Sequence, residues 1–325
     1  MKRRLSTLIC SAGLILAPLL MTHAAVSQAQ EGSAGVPAMQ AKQVAPNIYY
    51  VEGLSELGSS ANQNFISNAG FVITPAGVMV IDALGSPELA RRLIAQIRKV
   101  TPKPLNTVIV THYHADHVYG LQVFKEAGAR IVAHEASGEY LNSDTARLRL
   151  DASRQELFPW VDENTKLLPP DEPIKGAKKL VVGGVDFELI PVGPSHTPDD
   201  LVVWLPQSKV LFAGDLVFRN RIPFVGQADS RQWIESLNTL LKFPARVMVP
   251  GHGPASTKPN QDMSLTRDYL VYLRQTMGKG AAELVPFEEV YKNTDWSRFN
   301  KVPMFQYANR MNAYNTYLLM EREGQ

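Results

Sequence analysis

Cysteine is almost missing from this 325-residue chain, where Cys10 stands alone. A single thiol excludes an internal disulfide framework and a thiolate-built metal centre. A surplus of charge is missing too. The 33 Lys and Arg face 31 Asp and Glu, with no basic block, which leaves no electrostatic footprint for nucleic acid. Beyond the N-terminus no apolar run approaches the roughly 20 residues that span a bilayer. What remains is 45% hydrophobic and 20% charged. That suits a globular protein with a sizeable core, of one large domain or one domain plus an appendage.

The N-terminus has its own pattern. Lys2, Arg3 and Arg4 precede an apolar stretch from Leu5 to Met21, and small residues from Ala24 to Ala29 lead into polar Gln30-Glu31-Gly32. This is the three-part layout of a secretory signal peptide over residues 1–29, cleaved after Ala29. Export to the periplasm is the expectation. Only five residues separate Arg4 from Cys10, too short an apolar stretch for a lipoprotein signal. Cleavage removes three basic residues, the cysteine and no acid, leaving 30 basic against 31 acidic residues.

Short apolar segments at Ile48–Val51, Asn64–Ile66, Gly70–Ile73 and Val78–Ile81 read as strands. Ser86-Pro87-Glu88 reads as a helix start, with Leu89, Leu93, Ile97 and Val100 forming one apolar stripe. A buried strand at 107–110 runs into Thr111-His112, followed by a helix over about 118–127 and a strand at 130–132. Residues 135–178 read as polar, helical or irregular, broken by the prolines at 169–173. Strands resume at 179–182, 185–190, 201–205 and 210–213, and another follows a helix near 230–242 at 246–249. After Pro259 the chain reads as mainly helical, with amphipathic stretches at Leu265–Met277 and Asn312–Glu323 that cap the rest. The alternation implies a layered α/β protein, sheets covered by helices.

The densest chemical signal is Thr111-His112-Tyr113-His114-Ala115-Asp116-His117, which holds three of the seven histidines within six residues. Alternate residues of an extended segment face one side, so His112, His114 and Asp116 can converge, with His117 turning in as the chain bends. Imidazole nitrogen and carboxylate oxygen suit zinc. The cluster alone does not separate a catalytic site from a structural one. His196, Asp215 and His252 follow further apolar strands or sit in Gly/Pro turns. His134 lacks that context and is assigned no role.

Taken in order, His112-x-His114-x-Asp116-His117, His196, Asp215 and His252 resemble the ligand pattern of the metallo-β-lactamase superfamily, over residues 45–256. The resemblance implies a four-layer αββα sandwich at 30–256 with a two-metal site at one edge, and a helical C-terminal extension at 257–325. It implies that His112, His114 and His196 hold one metal, that Asp116, His117 and His252 hold another, and that Asp215 bridges them. Asp82, after an apolar strand, matches a further position and is expected to brace the metal loop through hydrogen bonds. Two zinc ions are the implied cofactor. Iron is the alternative, since persulfide dioxygenases use a similar motif.

Three protein ligands plus a shared carboxylate leave coordination positions open, whereas structural zinc is usually closed by four. The implied activity is hydrolysis of a carbonyl-type bond in a small molecule: a thioester, lactone, ester or β-lactam. Asp116 is the catalytic candidate, orienting the nucleophile or passing a proton. The stretch 196–206 is similar to true metallo-β-lactamases, yet Asp215 stands where many of them carry cysteine. The pattern is also similar to glyoxalase-II-like enzymes and to periplasmic zinc hydrolases of the quinoprotein-relay and sulfur-oxidation-associated group. The nuclease branch shares the first motif, but neutral charge and export argue against it. A non-catalytic periplasmic metal-binding protein is the reading from another class. Trp160, Phe224 and Phe305 are candidates to shape the pocket.

Overall fold

The structure is a computed structural model that describes residues 39–324; the expected signal peptide at 1–29 lies outside them. A first sheet holds seven strands in chain order: β1 (Lys42–Ala45), β2 (Ile48–Val51), β3 (Ala69–Thr74), β4 (Gly77–Ile81), β5 (Leu105–Ile109), β6 (Arg130–His134) and β7 (Glu172–Ile174). Strands β1 to β4 pair antiparallel, and β4 to β7 pair parallel. The second sheet holds β8 (Lys178–Val182), β9 (Val185–Pro191), β10 (Leu201–Leu205), β11 (Val210–Phe218) and β12 (Val247–His252), with β12 parallel to β11.

The parallel strands require crossovers, which supply the outer layers. On the first sheet these are α1 (Pro87–Val100), α2 (Ala115–Val118), α3 (Leu121–Glu126), α4 (Glu135–Leu141) and α5 (Asp144–Glu156). On the second the crossover is α6 (Ser230–Leu240), joined by α7 (Pro259–Ala282), α8 (Phe287–Asn293) and α9 (Phe305–Glu323), which follow the last strand.

Three apolar cores follow from that stacking. Met79, Ile81 and Ile109 meet Phe187, Val203 and Phe212 between the sheets. Leu89, Leu93 and Ile97 of α1 pack on Val80 and Val108 behind the first sheet, each such side chain contributing about 1.5–3 kcal/mol on burial. Trp233, Met263, Leu270 and Leu273 cover Leu211 and Ala213 behind the second. The result is the expected α/β sandwich of four layers, αββα, with C-terminal helices. Those helices are one side of the third core, and all described residues fall within one unit, Val36–Gln325.

Local chemistry explains most boundaries. Ser86 caps α1 by accepting the Leu89 N–H, with Pro87 in the first turn. Val100, expected on the buried stripe, is exposed because the helix ends there. The expected strand at Asn64–Ile66 is a loop. Gln63 and Asn64 both have left-handed backbones, near φ +58 and +59, and two such residues cannot continue a strand. The single helix expected over 118–127 is two, broken at Tyr119–Gly120. There a Cβ on Gly120 would collide with the Ala83 carbonyl, so the break lets the chain pass close to the β4 turn. Strand β7 forms within the proline-rich break, paired with Val132–His134. It is a strand made by its neighbour rather than by its own propensity.

Candidate metal centre

Every candidate ligand sits at one end of the two sheets. Asp82 follows β4, His112 to His117 follow β5, His196 lies between β9 and β10, Asp215 is in β11 and His252 ends β12. Both of the last two lie inside longer strands than the sequence suggested. A register shift at Gly214, which has φ +52, re-aims β11 as bulges do.

The structure gathers these side chains into two groups: His112, His114, His196 and Asp215, and Asp116, His117 and His252. In the first, His114 Nδ1 lies 3.2 Å from His112 Nε2 and 3.0 Å from His196 Nε2. Asp215 Oδ2 is 3.7 Å from His112 Nε2 and 3.4 Å from His196 Nε2. Four ligands at zinc–nitrogen distance define a tetrahedron with edges of about 3.3 Å, and the observed spacings bracket that value. In the second group, Asp116 Oδ2 is 3.5 Å from His117 Nε2 and 3.3 Å from His252 Nε2. Asp215 joins it as well, with Oδ1 3.3 Å from His117 Nε2 and Oδ2 3.2 Å from His252 Nε2.

For His112, His117 and His252 the far side of the ring fixes which nitrogen faces the centre. His117 Nδ1 donates to Asp82 Oδ2 at 2.9 Å, and His252 Nδ1 donates to the Ile66 carbonyl at 2.7 Å. Thr111 Oγ1 gives its hydrogen to Asp82 Oδ2 at 2.8 Å, so the 3.1 Å contact from His112 Nδ1 is a donation to that hydroxyl. Each of these three Nε2 atoms is thereby turned inward, free to offer its lone pair to a cation once any proton on it is displaced. Lone pairs on several nitrogens and two carboxylates converge without a hydrogen between most of them. His117 Nε2 and Asp215 Oδ1 are buried with no hydrogen-bond partner. Such groups cost free energy unless something binds them, and the donor set fits divalent cations.

Electrostatics divides the two groups. Burial, reinforced by neighbouring imidazoles, pushes His112 well below its ordinary value and His196 down to about 3. Both are neutral ligands. Burial pushes His117 down as well, but Asp116, Asp215 and Asp82 outweigh it and hold it well above. Burial likewise opposes ionisation of Asp215, yet His252, His117 and His112 keep it well below the usual carboxylate range. A cation at the second group would take the place of those protons.

The backbone is shaped to allow this. Asp82 has a left-handed backbone, φ +62, a conformation aspartate tolerates better than most residues. Its carboxylate also accepts the Thr111 N–H at 2.7 Å, so one side chain pins both ends of the metal loop. A Cβ on Gly251 would collide with Asp215 Oδ1 and the Gly214 backbone; only glycine lets β12 pass the shared carboxylate.

Some residues that organise the site carried no sequence signal. Asn68 donates to the carbonyls of Pro250 and Gly253, at 2.8 and 2.7 Å, and accepts the Gly53 N–H. It bolts the His252 turn to the first sheet. Arg221, in the loop after β11, is buried and stacks over Phe218. Its Nη1 is 3.4 Å from His252 Nδ1, but that nitrogen already donates to Ile66, so both groups are donors. Among the described residues Arg221 has no acceptor, and its Nε is unpartnered. His134 caps α4 by accepting the Ala136 N–H, which accounts for it without a metal.

The centre opens into a cavity of about 760 Å³. Tyr113, stacked on Tyr140 with ring centroids 3.8 Å apart, forms one wall. Phe224 and Val225 also line it, and His114, Asp116, Asp215 and His252 reach into it. Of the other aromatic candidates, Trp160 donates to the Ser60 carbonyl and Phe305 packs on Trp296.

Comparison with other proteins agrees with that geometry. A family model described as the metallo-beta-lactamase superfamily matches residues 63–252. A linear primary-alkylsulfatase from Pseudomonas sp. (strain ATCC 19151) is 28% identical over 260 residues, 67% of this chain and 48% of that protein. This chain therefore spans about half the length of that relative. A metallo-beta-lactamase type 2 from Bacillus cereus is 29% identical over 204 residues, 61% of this chain and 72% of that protein. Among solved structures, a metallo-beta-lactamase from Pontibacter korlensis superposes with a TM-score of 0.57 at 24% identity, covering 72% of this chain and 99% of that one. The sec-alkylsulfatase Pisa1 from Pseudomonas sp. gives 0.64 at 20% identity, covering 86% and 50%. At these identities the structures show the fold. The family match takes in more than half of the sequence and every gathered ligand, and so the chain belongs to the metallo-beta-lactamase superfamily.

Proposed function

We propose that the chain is a hydrolase that binds two zinc ions and cleaves a carbonyl-type bond, in a thioester, lactone, ester or β-lactam. The observation that carries this reading is the convergence of seven inward-facing ligand side chains beneath a cavity large enough for a small molecule. When bound, a pair of divalent cations supplies Lewis acidity and water acidic enough to attack near neutral pH. His112, His114 and His196 would hold one cation, Asp116, His117 and His252 the other, and Asp215 both.

The remaining work falls to this chain's own groups. Burial opposes ionisation of Asp116, but His117 and His252 hold its carboxyl below the usual range. An ionised carboxylate at the cavity floor can accept the proton of an attacking water and deliver it to the leaving group. Tyr113 and Tyr140 offer a flat apolar surface to the substrate, and Phe224 adds another, excluding water.

Arg221 supports a narrower substrate class. Asp116 and Asp215 bring two negative charges against four positive ones from two divalent cations, and Arg221 adds another cation without an acceptor. A substrate carrying an anionic group beside the scissile bond would complete that balance. The unpaired guanidinium and the alkylsulfatase relative favour a second reading, hydrolysis of a sulfate ester at the same centre.

The test is a panel of thioesters, lactones, β-lactams and alkyl sulfates on zinc-loaded protein, with and without chelator. Turnover of one class that a chelator stops and zinc restores is the expected result. No turnover at full zinc occupancy would leave a metal-binding protein instead. Residues 1–29 support export to the periplasm, which N-terminal sequencing of the mature protein checks; an intact Met1 would contradict it.

A further inference from the structure

The C-terminal helix α9 lies beyond residue 252, where the family match ends, yet it holds the part of the cavity lining formed by residues 224–227. The Asn312 side chain is fully buried, and each of its polar atoms is used. Oδ1 accepts the Val225 N–H at 2.9 Å, and Nδ2 donates to the Pro223 carbonyl at 2.7 Å and to Tyr269 Oη at 3.1 Å. Tyr269 Oη donates in turn to Asn309 Oδ1 at 2.8 Å. Ile222 donates its N–H to the Pro303 carbonyl at 2.9 Å, just before α9. One amide therefore grips both sides of Phe224, three residues from Arg221.

Behind that wall there is space. A second cavity of about 250 Å³ lies between residues 225–228 and the α9 face formed by Asn315, Thr316 and Leu319. The two cavities share Val225, Gly226, Gln227 and Asn315 as linings. The wall is a thin strip of loop with room to retreat, and Gly226 at φ +53 adds a residue that bends freely.

We propose that Asn312 is a positioning residue that fixes the 223–227 wall, and so sets which substrates the cavity accepts. Without its two bonds to the loop, the strip relaxes into the rear cavity. The substrate cavity then widens, and Arg221 and Phe224 lose their fixed place above the centre. The consequence for substrates rests on the hydrolase reading; the anchoring does not.

Hydrogen–deuterium exchange on zinc-loaded Asn312→Ala tests the anchor without any substrate. Exchange over 222–227 is expected to rise about tenfold, as loss of a buried hydrogen bond implies, with residues 111–117 unchanged. Unchanged exchange over 222–227 would overturn the proposal. The same variant is then assayed on p-nitrophenyl esters from acetate to decanoate. The expected result is a kcat/KM ratio of long to short esters raised about tenfold, with kcat on the acetate held within about twofold.

Filling the rear cavity with Leu319→Phe in the same background is expected to return the ratio toward its original value. Tyr269→Phe, which keeps both loop bonds, should leave it unmoved. An equal loss on all esters, or an equal shift in Tyr269→Phe, would reduce Asn312 to a general structural role and overturn the proposal. If Asn312→Ala does not fold, Asn312→Asp carries the comparison, since it keeps the acceptor for Val225 and loses the donor to Pro223. No turnover by the unaltered protein counts against the hydrolase reading alone, and exchange still decides the anchor.

Discussion

The floor and the wall of the cavity are built in different ways. The floor is made of strand ends within residues 63–252, where a family model matches, and its ligands are braced from inside that same span by Asp82, Thr111, Asn68 and the Ile66 carbonyl. The wall at 221–227 has little regular structure of its own and takes its shape from α9, nearly ninety residues away in sequence. Chemistry that needs sub-ångström placement sits on rigid elements. The wall proposed to select the substrate sits on a loop held by α9, where it can vary without disturbing the ligands.

The largest expected effect breaks the floor. His114→Ala or Asp215→Ala should reduce hydrolysis to background while circular dichroism shows the protein still folded. Near-normal turnover in both would remove the proposed mechanism. Next is Asp82→Ala, which unpins His117 and Thr111 without touching a ligand atom. Loss of such a partner weakens metal affinity by roughly 10–100-fold, read by competition with a chromogenic chelator, and unchanged affinity would make Asp82 an ordinary turn residue.

Arg221→Ala sharpens the comparison from the wall. It should lower kcat/KM about tenfold for substrates with an anionic group beside the scissile bond, as loss of a charge-assisted hydrogen bond implies, and leave neutral esters nearly unchanged. Equal losses on both classes would argue that Arg221 only packs.

The smallest effect concerns stability. Burial, opposed by the Ser137 hydroxyl, pushes Asp199 from 3.8 up to about 6, and its Oδ1 has no partner. The folded state thus holds a proton that the unfolded chain has released, and stability falls as pH rises from about 4 through about 6. Asp199→Asn should remove that fall, gaining on the order of 2–3 kcal/mol at pH 7.5 and nothing below pH 4. Parallel curves of Tm against pH for the two proteins would contradict it.

How much was legible in the sequence follows the same division. The layered α/β alternation, most strands and the His112–His117 cluster could be read from local signals, whereas the sandwich topology and the roles of His196, Asp215 and His252 came only with the resemblance to the metallo-β-lactamase superfamily; the structure brings all seven side chains together. Strand β7 could not, since Glu172–Ile174 becomes extended only by pairing with β6. The Asn64–Ile66 segment misled because its apolar residues face inward from a loop with left-handed turns. Arg221 and Asn68 were hidden because only tertiary burial separates them from ordinary loop residues. Asn309 and Asn312 were hidden as well, since the expected helix began only at Asn312 and the buried face of α9 is built of Ala, Asn, Thr and Tyr rather than an apolar stripe.

The most direct test of the central claim is the metal stoichiometry of the purified protein after zinc reconstitution, measured by inductively coupled plasma mass spectrometry. Two zinc ions per chain are expected, falling to one or none in Asp215→Ala, whose carboxylate both groups share. A chain that binds no zinc, or an Asp215→Ala variant that still holds two, would contradict the account.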